Sequence, residues 1–356
     1  MTKFYEDILR QPSQLMKVFD TIVSTDHDHL DRTASLLASG NSIYVIGMGA
    51  SWHAGMAVVS YLNAYHRPAY LLDASELLLD QWLPDNAAVI LLSRSGQSRE
   101  IVDLLPLLRT HRSKIVAITN DPASPLAAGA DVVLALHAKF DSNVSVTMYT
   151  GIAMAGCLLA ATLCGQQLAT TRKPLFHALQ TVEELIPLWH DDIENSRWLS
   201  PDAPYYFLAR GASVASCNEA RLLWEEAAKT GATALTTGGF RHGPQEIVRA
   251  PLRIALWLDP SRQRSQDLEL AQDLRKVGAH VMLIGQGVNG LAGDLVICLP
   301  SIPAPWQFLI DIVPIQIAAE CFARATGRDC DSFRLCSYVV LSEGGLSLPG
   351  KEIKGS

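Results

Sequence analysis

Charge is scarce in this 356-residue chain, at 18% of residues, and what there is has no basic surplus: 29 Lys and Arg face 36 Asp and Glu, a formal net charge of −7. That balance argues against the basic face through which proteins grip nucleic acid. It does not exclude an anionic ligand, because a local nest of N–H groups binds phosphate inside an acidic protein. The seven cysteines (Cys157, Cys164, Cys217, Cys298, Cys321, Cys330 and Cys336) are odd in number and form no CxxC pair. Several sit in apolar runs, so they read as reduced, buried thiols and not as a disulfide framework. HExxH and other His/Asp ligand spacings are missing, so no metal and no cofactor is expected. A GxSxG elbow and a Walker loop are missing too. The most apolar run, Thr150 to Leu163, is too short and too rich in Gly and Ala to cross a bilayer, and Met1 to Asp7 has no signal-peptide core. The expectation is a cytoplasmic protein with neither membrane nor nucleic-acid partner.

What is present is apolar and periodic. Hydrophobic residues make up 49% of the chain, enough for two good cores at this length. Strands are expected at Ser42 to Ile46, Ala69 to Leu72, Ala87 to Leu92, Lys114 to Thr119 and Val132 to Leu136. Helical stretches lie between them at Trp52 to Tyr65, Ala74 to Asp80 and Arg99 to Arg109. Alternation of this kind predicts an α/β fold, a parallel sheet with helices on both faces. Met148 to Cys164 and Lys173 to Trp189 read as linking helices.

The pattern then repeats. Tyr44-Val45-Ile46-Gly47-Met48-Gly49-Ala50-Ser51 has an echo 162 residues later in Tyr206-Phe207-Leu208-Ala209-Arg210-Gly211-Ala212-Ser213. Strands at Leu252 to Leu258 and His280 to Ile284, around a helix from Gln266 to Val277, match later elements of the first half. Two three-layer αβα units related by internal duplication are the economical reading. The expected layout is a helical arm over 1–34, a first domain over 35–195, a second over 196–340 and a tail over 341–356. The boundary falls in the Pro-, Asp- and Ser-rich stretch 196–204. Trp306 to Thr326 reads as one long helix, and Phe333 to Leu341 as an extended apolar tail.

Chemistry concentrates in a few places. Ser93-Arg94-Ser95-Gly96-Gln97-Ser98 follows a buried strand and opens a helix, a turn that suits a phosphate; the alternative is a polar turn capped by Ser98. The Gly47-Met48-Gly49-Ala50-Ser51 turn lacks the third glycine of a dinucleotide fingerprint, since position 52 is Trp52, whose bulk denies a pyrophosphate close approach. Ser51 either meets a ligand or caps the helix. In the second half, Glu219 and Glu226 share a helix face, and one of them is expected to be partly buried with a raised pKa suited to proton abstraction. His242, in Phe240-Arg241-His242-Gly243-Pro244, lies on a turn, where it is either catalytic or merely exposed.

Taken together, Gly-Met-Gly-Ala-Ser at 47–51, Ser-Arg-Ser-Gly-Gln-Ser at 93–98, Asn143-Val144-Ser145-Val146-Thr147 and Arg-His-Gly-Pro at 241–244 resemble the tandem sugar-isomerase (SIS) domain proteins over roughly residues 35 to 340. The nearest resemblance is to the isomerase half of glucosamine-6-phosphate synthase and to fructosamine-6-phosphate deglycases. It implies two flavodoxin-like units. It also implies a phosphate cradle of Ser93, Arg94, Ser95 and Ser98 helped by Gly49 and Ser51, and a sugar-hydroxyl contact from Ser145. Glu226 takes the place of the family's C1/C2 proton-transfer base. His242 takes that of a ring-opening histidine supplied by the neighbouring subunit, which implies a homodimer with shared active sites. Three departures accompany it. The repeat is expected to stand without the glutaminase domain of the synthase. The stretch Arg334 to Val339 has no counterpart of the synthase's Schiff-base lysine, since Lys351 and Lys354 come later. Arg94 and Leu223 stand where the synthase has other residues. The expectation is an enzyme acting on a ketohexose or ketoamine 6-phosphate (a deglycase, an amino-sugar-phosphate deaminase or an aldose–ketose isomerase) without glutaminase activity. The alternative is a non-catalytic sugar-phosphate sensor.

Overall fold

A computed structural model describes residues 1–24, 27–342 and 344–346. Helices α1 (Lys3–Ser24) and α2 (His27–Ala38) precede β1 (Ile43–Gly47). Then α3 (Gly49–Ala64), β2 (Ala69–Asp73), α4 (Ala74–Asp80), β3 (Ala88–Leu92), α5 (Arg99–Thr110), β4 (Lys114–Thr119), α6 (Pro125–Gly129) and β5 (Val132–Ala135) alternate. Helices α7 (Thr147–Leu163) and α8 (Leu168–Glu194) lead to β6 (Tyr205–Ala209), α9 (Ser213–Glu226), β7 (Thr233–Thr236), α10 (Thr237–Arg241), β8 (Arg253–Trp257), α11 (Arg264–Lys276), β9 (His280–Gln286) and β10 (Leu295–Leu299). Helices α12 (Phe308–Asp311) and α13 (Val313–Ala325) follow.

The strands form two five-stranded parallel sheets, ordered β2-β1-β3-β4-β5 and β10-β9-β8-β6-β7. Numbered within its own half, the second sheet repeats the first: both are 2-1-3-4-5, the flavodoxin-like order. Every residue of β1, β3 and β8 is buried, as a parallel sheet covered on both faces requires. Helix α5 shows how the covering layer is encoded. Ile101, Leu104 and Leu108 recur at helical spacing and are buried, while Glu100 in the first turn and Arg109 in the last complement the helix dipole. Helix α7, the apolar Thr150–Leu163 run, is apolar all round because it is buried all round.

Packing groups the chain into two compact units, Gln14–Thr170 with the chain from Ser332, and Met1–Ser13 with Thr171–Asp331. They are called here the first and second unit, after the sheet each contains. Residues 196–204, expected as a linker, pack within the second unit. There Trp198 is wholly buried and its indole donates to the Ile254 carbonyl at 3.2 Å. The long helix expected over 306–326 is interrupted between α12 and α13. Pro314 lies in the first turn of α13, where it lacks the N–H that would continue the helical ladder. Strands β7 and β10 escaped the sequence reading: each is four or five residues long at a sheet edge and only partly buried, which blurs the apolar signal. The segment Phe333–Leu341 carries neither strand nor helix. All seven cysteines are unpaired, and Cys157, Cys217, Cys321 and Cys330 are buried.

The second unit's core centres on an aromatic cluster. Trp224 is wholly buried, with its ring 4.7 Å from Tyr205, 5.4 Å from Phe207, 5.5 Å from Phe322 and 6.0 Å from Trp198. Trp224→Ala should lower the unfolding free energy by about 3–5 kcal/mol in urea titration; a loss below about 1 kcal/mol would show that the cluster closes over the gap.

Candidate functional site

In an open parallel sheet, ligands bind beyond the carboxyl ends of the strands where the strand order reverses. In the first sheet that point lies between β1 and β3. Ile46 is paired with Leu91, so the turns leaving the two strands, 48–51 and 93–98, emerge side by side. Gly49 opens α3 with a left-handed φ of 52°, and a side chain built on it would meet nothing within 4 Å. Ser51 lies in the first turn of α3 and is buried. The N-cap residue of that helix is Met48, which supplies no side-chain bond. The alternative reading of Ser51 as a cap is therefore not what the structure shows.

The 93–98 turn is built from its own hydroxyls. Ser93 Oγ accepts from the Gly96 N–H at 3.1 Å and Ser95 Oγ from the Gln97 N–H at 3.2 Å, so each hydroxyl keeps its proton to donate elsewhere. Ser98 stands at the N-cap of α5, but its side chain makes no capping bond. Among the described residues, no carboxylate bonds to Ser51, Ser93, Ser95 or Ser98. Gly96 is required by the turn: its φ is 62°, and an added Cβ would fall 2.1 Å from Ser124 Oγ.

Arg94 faces a different way. Its guanidinium donates to the carbonyls of Asn143, at 3.4 Å, and Tyr338, and it lies 3.9 Å above the Tyr338 ring. Ser145, buried, precedes α7 in a loop organised by Asp141. The buried Asp141 carboxylate accepts from the N–H groups of Val146 (2.8 Å), Thr147 (3.1 Å) and Met148 (2.8 Å). Sequence reasoning missed both Asp141 and Tyr338. Asp141, six residues before Thr147, is the acid that the N-terminus of α7 needs, and that spacing was the available signal. Tyr338 lies 244 residues from Arg94, and no local pattern links them.

The duplicated turns of the second sheet are chemically different. Gly211 repeats the left-handed φ of Gly49, at 56°, and Ser213 follows as Ser51 does. Here the hydroxyls are taken: Ser213 Oγ donates to the Asp311 carboxylate at 2.6 Å, and Ser216 Oγ donates to its other oxygen. The turn after β8 is filled likewise. Asp259 accepts from the Gln263 N–H at 2.7 Å, while the fully buried Asp267 accepts from the Asp259 N–H at 3.0 Å and from Arg210 at 2.7 Å.

Glu226 is the last residue of α9 and half-buried, whereas Glu219, on the same helix, is buried. His242 is exposed on the turn between α10 and a short 3-10 helix, Pro244–Ile247, as its Gly-Pro neighbours led one to expect. Gly49, Ser51, the 93–98 turn and Ser145 thus belong to the first unit, and Glu226 and His242 to the second. The second unit also gathers His190, Glu320 and Cys321, with donor atoms within 4.8 Å of one another. Arg324 already donates to Glu320 at 3.1 Å, and burial with the Glu320 charge pushes the Cys321 thiol up to about 12, so the group reads as an ion-pair network.

Residues 36–163 match the family model of the SIS domain. That match covers the sheet of the first unit, and the second sheet repeats its strand order. It is 24% identical over 349 residues to a glutamine–fructose-6-phosphate aminotransferase (isomerizing) of Pyrobaculum aerophilum, covering 95% of this chain and 57% of that protein. The chain spans little more than half the length of the curated relatives it matches. The C-terminal domain of glucosamine-fructose-6-phosphate aminotransferase from Francisella tularensis superposes with a TM-score of 0.81 at 21% identity, over 93% of this chain and 98% of that one. A glucosamine-6-phosphate deaminase from Thermotoga maritima gives 0.80 at 20% identity, over 95% and 99%.

Two outcomes follow from this geometry. Gly96→Ala, which needs both a left-handed alanine and a displaced Ser124, should cost about 3 kcal/mol or more in chemical unfolding and abolish binding of inorganic phosphate; retained phosphate binding would remove the turn from the site. Burial pushes the Asp311 carboxyl up to about 7, against the bonds from Ser213 and Ser216, which pull it down. A folded value above the unfolded one means the contribution to stability is full below about pH 4 and is lost as pH rises through about 7. Asp311→Asn should therefore gain in Tm relative to the wild type as pH is raised over that window. A pH-independent difference would show that Asp311 does not titrate there.

Proposed function

We propose that this chain processes a ketohexose or ketoamine 6-phosphate by proton transfer between C1 and C2, as a deglycase, an amino-sugar-phosphate deaminase or an aldose–ketose isomerase. One observation carries the reading. At the switch point of the first sheet, Ser51, Ser93, Ser95 and Ser98 offer hydroxyls beside two helix N-termini with no carboxylate bonded to them among the described residues, whereas the matching turns of the second sheet are filled by Asp311, Asp259 and Asp267. A small dianion is the ligand such a turn suits. The relatives named for fructose 6-phosphate and glucosamine 6-phosphate support a sugar phosphate as the carrier of that dianion.

Ser93, Ser95 and Ser98, with Gly49 and Ser51, hold the phosphate, and Ser145 contacts the sugar hydroxyls. Glu226 is the base. Half-burial at the end of α9 keeps its carboxylate partly shielded from water while leaving it reachable by substrate. His242, exposed on its turn, assists ring opening from a neighbouring subunit in a homodimer. The stretch Arg334–Val339 contains no lysine, and Lys351 and Lys354 lie outside the described residues. A ketoamine needs none from the enzyme, because it carries its own nitrogen. Removing the C1 proton gives an enaminol, returning a proton to C2 gives an imine at C1, and water hydrolyses that imine to an aldose phosphate and a free amine.

Glu226→Gln should lower turnover of the accepted sugar phosphate by at least about 100-fold, with its Kd unchanged within about threefold by calorimetry. Wild-type activity in that variant would remove Glu226 from the mechanism. Binding by the wild-type protein without product from fructosamine 6-phosphates, glucosamine 6-phosphate or plain hexose phosphates would instead make it a sensor.

A further inference from the structure

The sequence reading placed Arg94 in the phosphate cradle, but its contacts lead elsewhere. Its guanidinium bridges the Asn143 and Tyr338 carbonyls and lies over the Tyr338 ring, with Cζ 3.9 Å from its centroid. The Tyr338 hydroxyl donates to the Asp141 carbonyl at 3.3 Å, and the Arg99 N–H, at the head of α5, donates to the Val340 carbonyl at 3.0 Å. Three segments distant in sequence therefore meet at one cation: the 93–99 turn, the 141–146 loop that carries Ser145, and the C-terminal stretch 338–340. All three belong to the first unit.

The geometry points to Arg94 as a clasp: together with Tyr338 it fastens the C-terminal stretch 338–340 across the 93–98 and 141–146 loops, and so acts as a positioning residue for both and not as a phosphate ligand. The chemistry favours this role. A guanidinium presents several donors in a plane and can satisfy two carbonyls while its face rests on an aromatic ring; a lysine ammonium is a point charge that does not reproduce that combination. The stretch it holds is partly buried and has no regular secondary structure, so no helix or sheet ladder fixes it. The fastening also occupies the Arg99 N–H, one of the orphan donors at the start of α5, so the clasp decides which N–H groups of this turn a ligand can reach.

The consequence for binding rests on the reading of the 93–98 and 141–146 loops as substrate loops, whereas the clasp itself does not. Hydrogen exchange on the full-length protein without ligand separates the two. The amide of Arg99 reports the clasp, and that of Ile90, inside β3, reports global folding. Arg94→Lys and Tyr338→Ala should each speed exchange at Arg99 by about tenfold or more while leaving Ile90 unchanged. Both should weaken binding of inorganic phosphate or fructose 6-phosphate in calorimetry by a similar factor. Unchanged protection at Arg99 in both variants overturns the clasp. So does Tyr338→Ala with wild-type phosphate affinity alongside a loss of phosphate binding in Arg94→Ala whose Arg99 stays protected, because Arg94 is then a ligand. A wild-type protein that binds neither probe sinks the reading of the loops, and the exchange data still decide the clasp.

Discussion

Every strand-to-helix turn at the end of a parallel strand exposes backbone N–H groups that the helix cannot satisfy, with a positive dipole end aimed at the same spot. The two sheets of this chain answer that demand in opposite ways. In the second unit the answer is internal: Asp311 accepts from the hydroxyls of Ser213 and Ser216, Asp259 accepts from the Gln263 N–H, and Asp267 accepts from the Asp259 N–H and the Arg210 side chain. In the first unit the turn is closed by hydroxyls that accept backbone N–H groups and still carry protons of their own. An unpaired buried donor costs about 1–3 kcal/mol, so a turn without its own anion makes sense where an outside anion arrives.

The same contrast separates the two copies of the turn. Gly49 and Gly211 keep the same left-handed backbone, and Ser51 and Ser213 keep the same hydroxyl, so the backbone of the turn was copied faithfully. What differs is whether a carboxylate from a later element reaches in. Asp311, fully buried in α12, holds a carboxyl whose ionisation burial opposes; two serine hydroxyls and Gln307 only partly offset that. In the second copy Asp311 occupies the turn, and Glu226 and His242 lie on α9 and the turn after α10.

Much of this was legible in the residues. The strand-helix alternation, the echo of Gly-Ala-Ser after 162 residues and the hydroxyl-rich turn are local patterns, and local patterns decide parallel sheets with covered faces. What escaped was either marginal or remote. Strands β7 and β10 are short, partly buried edges, and the break before α13 turns on the single Pro314. The grouping of Met1–Ser13 with residues far along the chain reflects contacts such as those of Asp331 with the N–H groups of Lys3 and Phe4, at 3.0 and 2.9 Å, which no spacing announces. Arg94 is the instructive case. An arginine between two serines in a phosphate-like turn reads as a ligand, and only the position of Tyr338 shows that its charge is already engaged.

That engagement bears on affinity. A cradle of hydroxyls and backbone N–H groups binds a phosphate through neutral donors, which are individually weaker than charge-assisted ones. Such a site relies on having its donors held in place before the ligand arrives. Asp141 does this for the loop of Ser145 by capping α7 through three N–H groups, and Gly96 does it for the 93–98 turn by allowing the chain to pass close to Ser124. With the Arg94 guanidinium turned to carbonyls and a ring, the first unit places that positive charge in the scaffold of the turn.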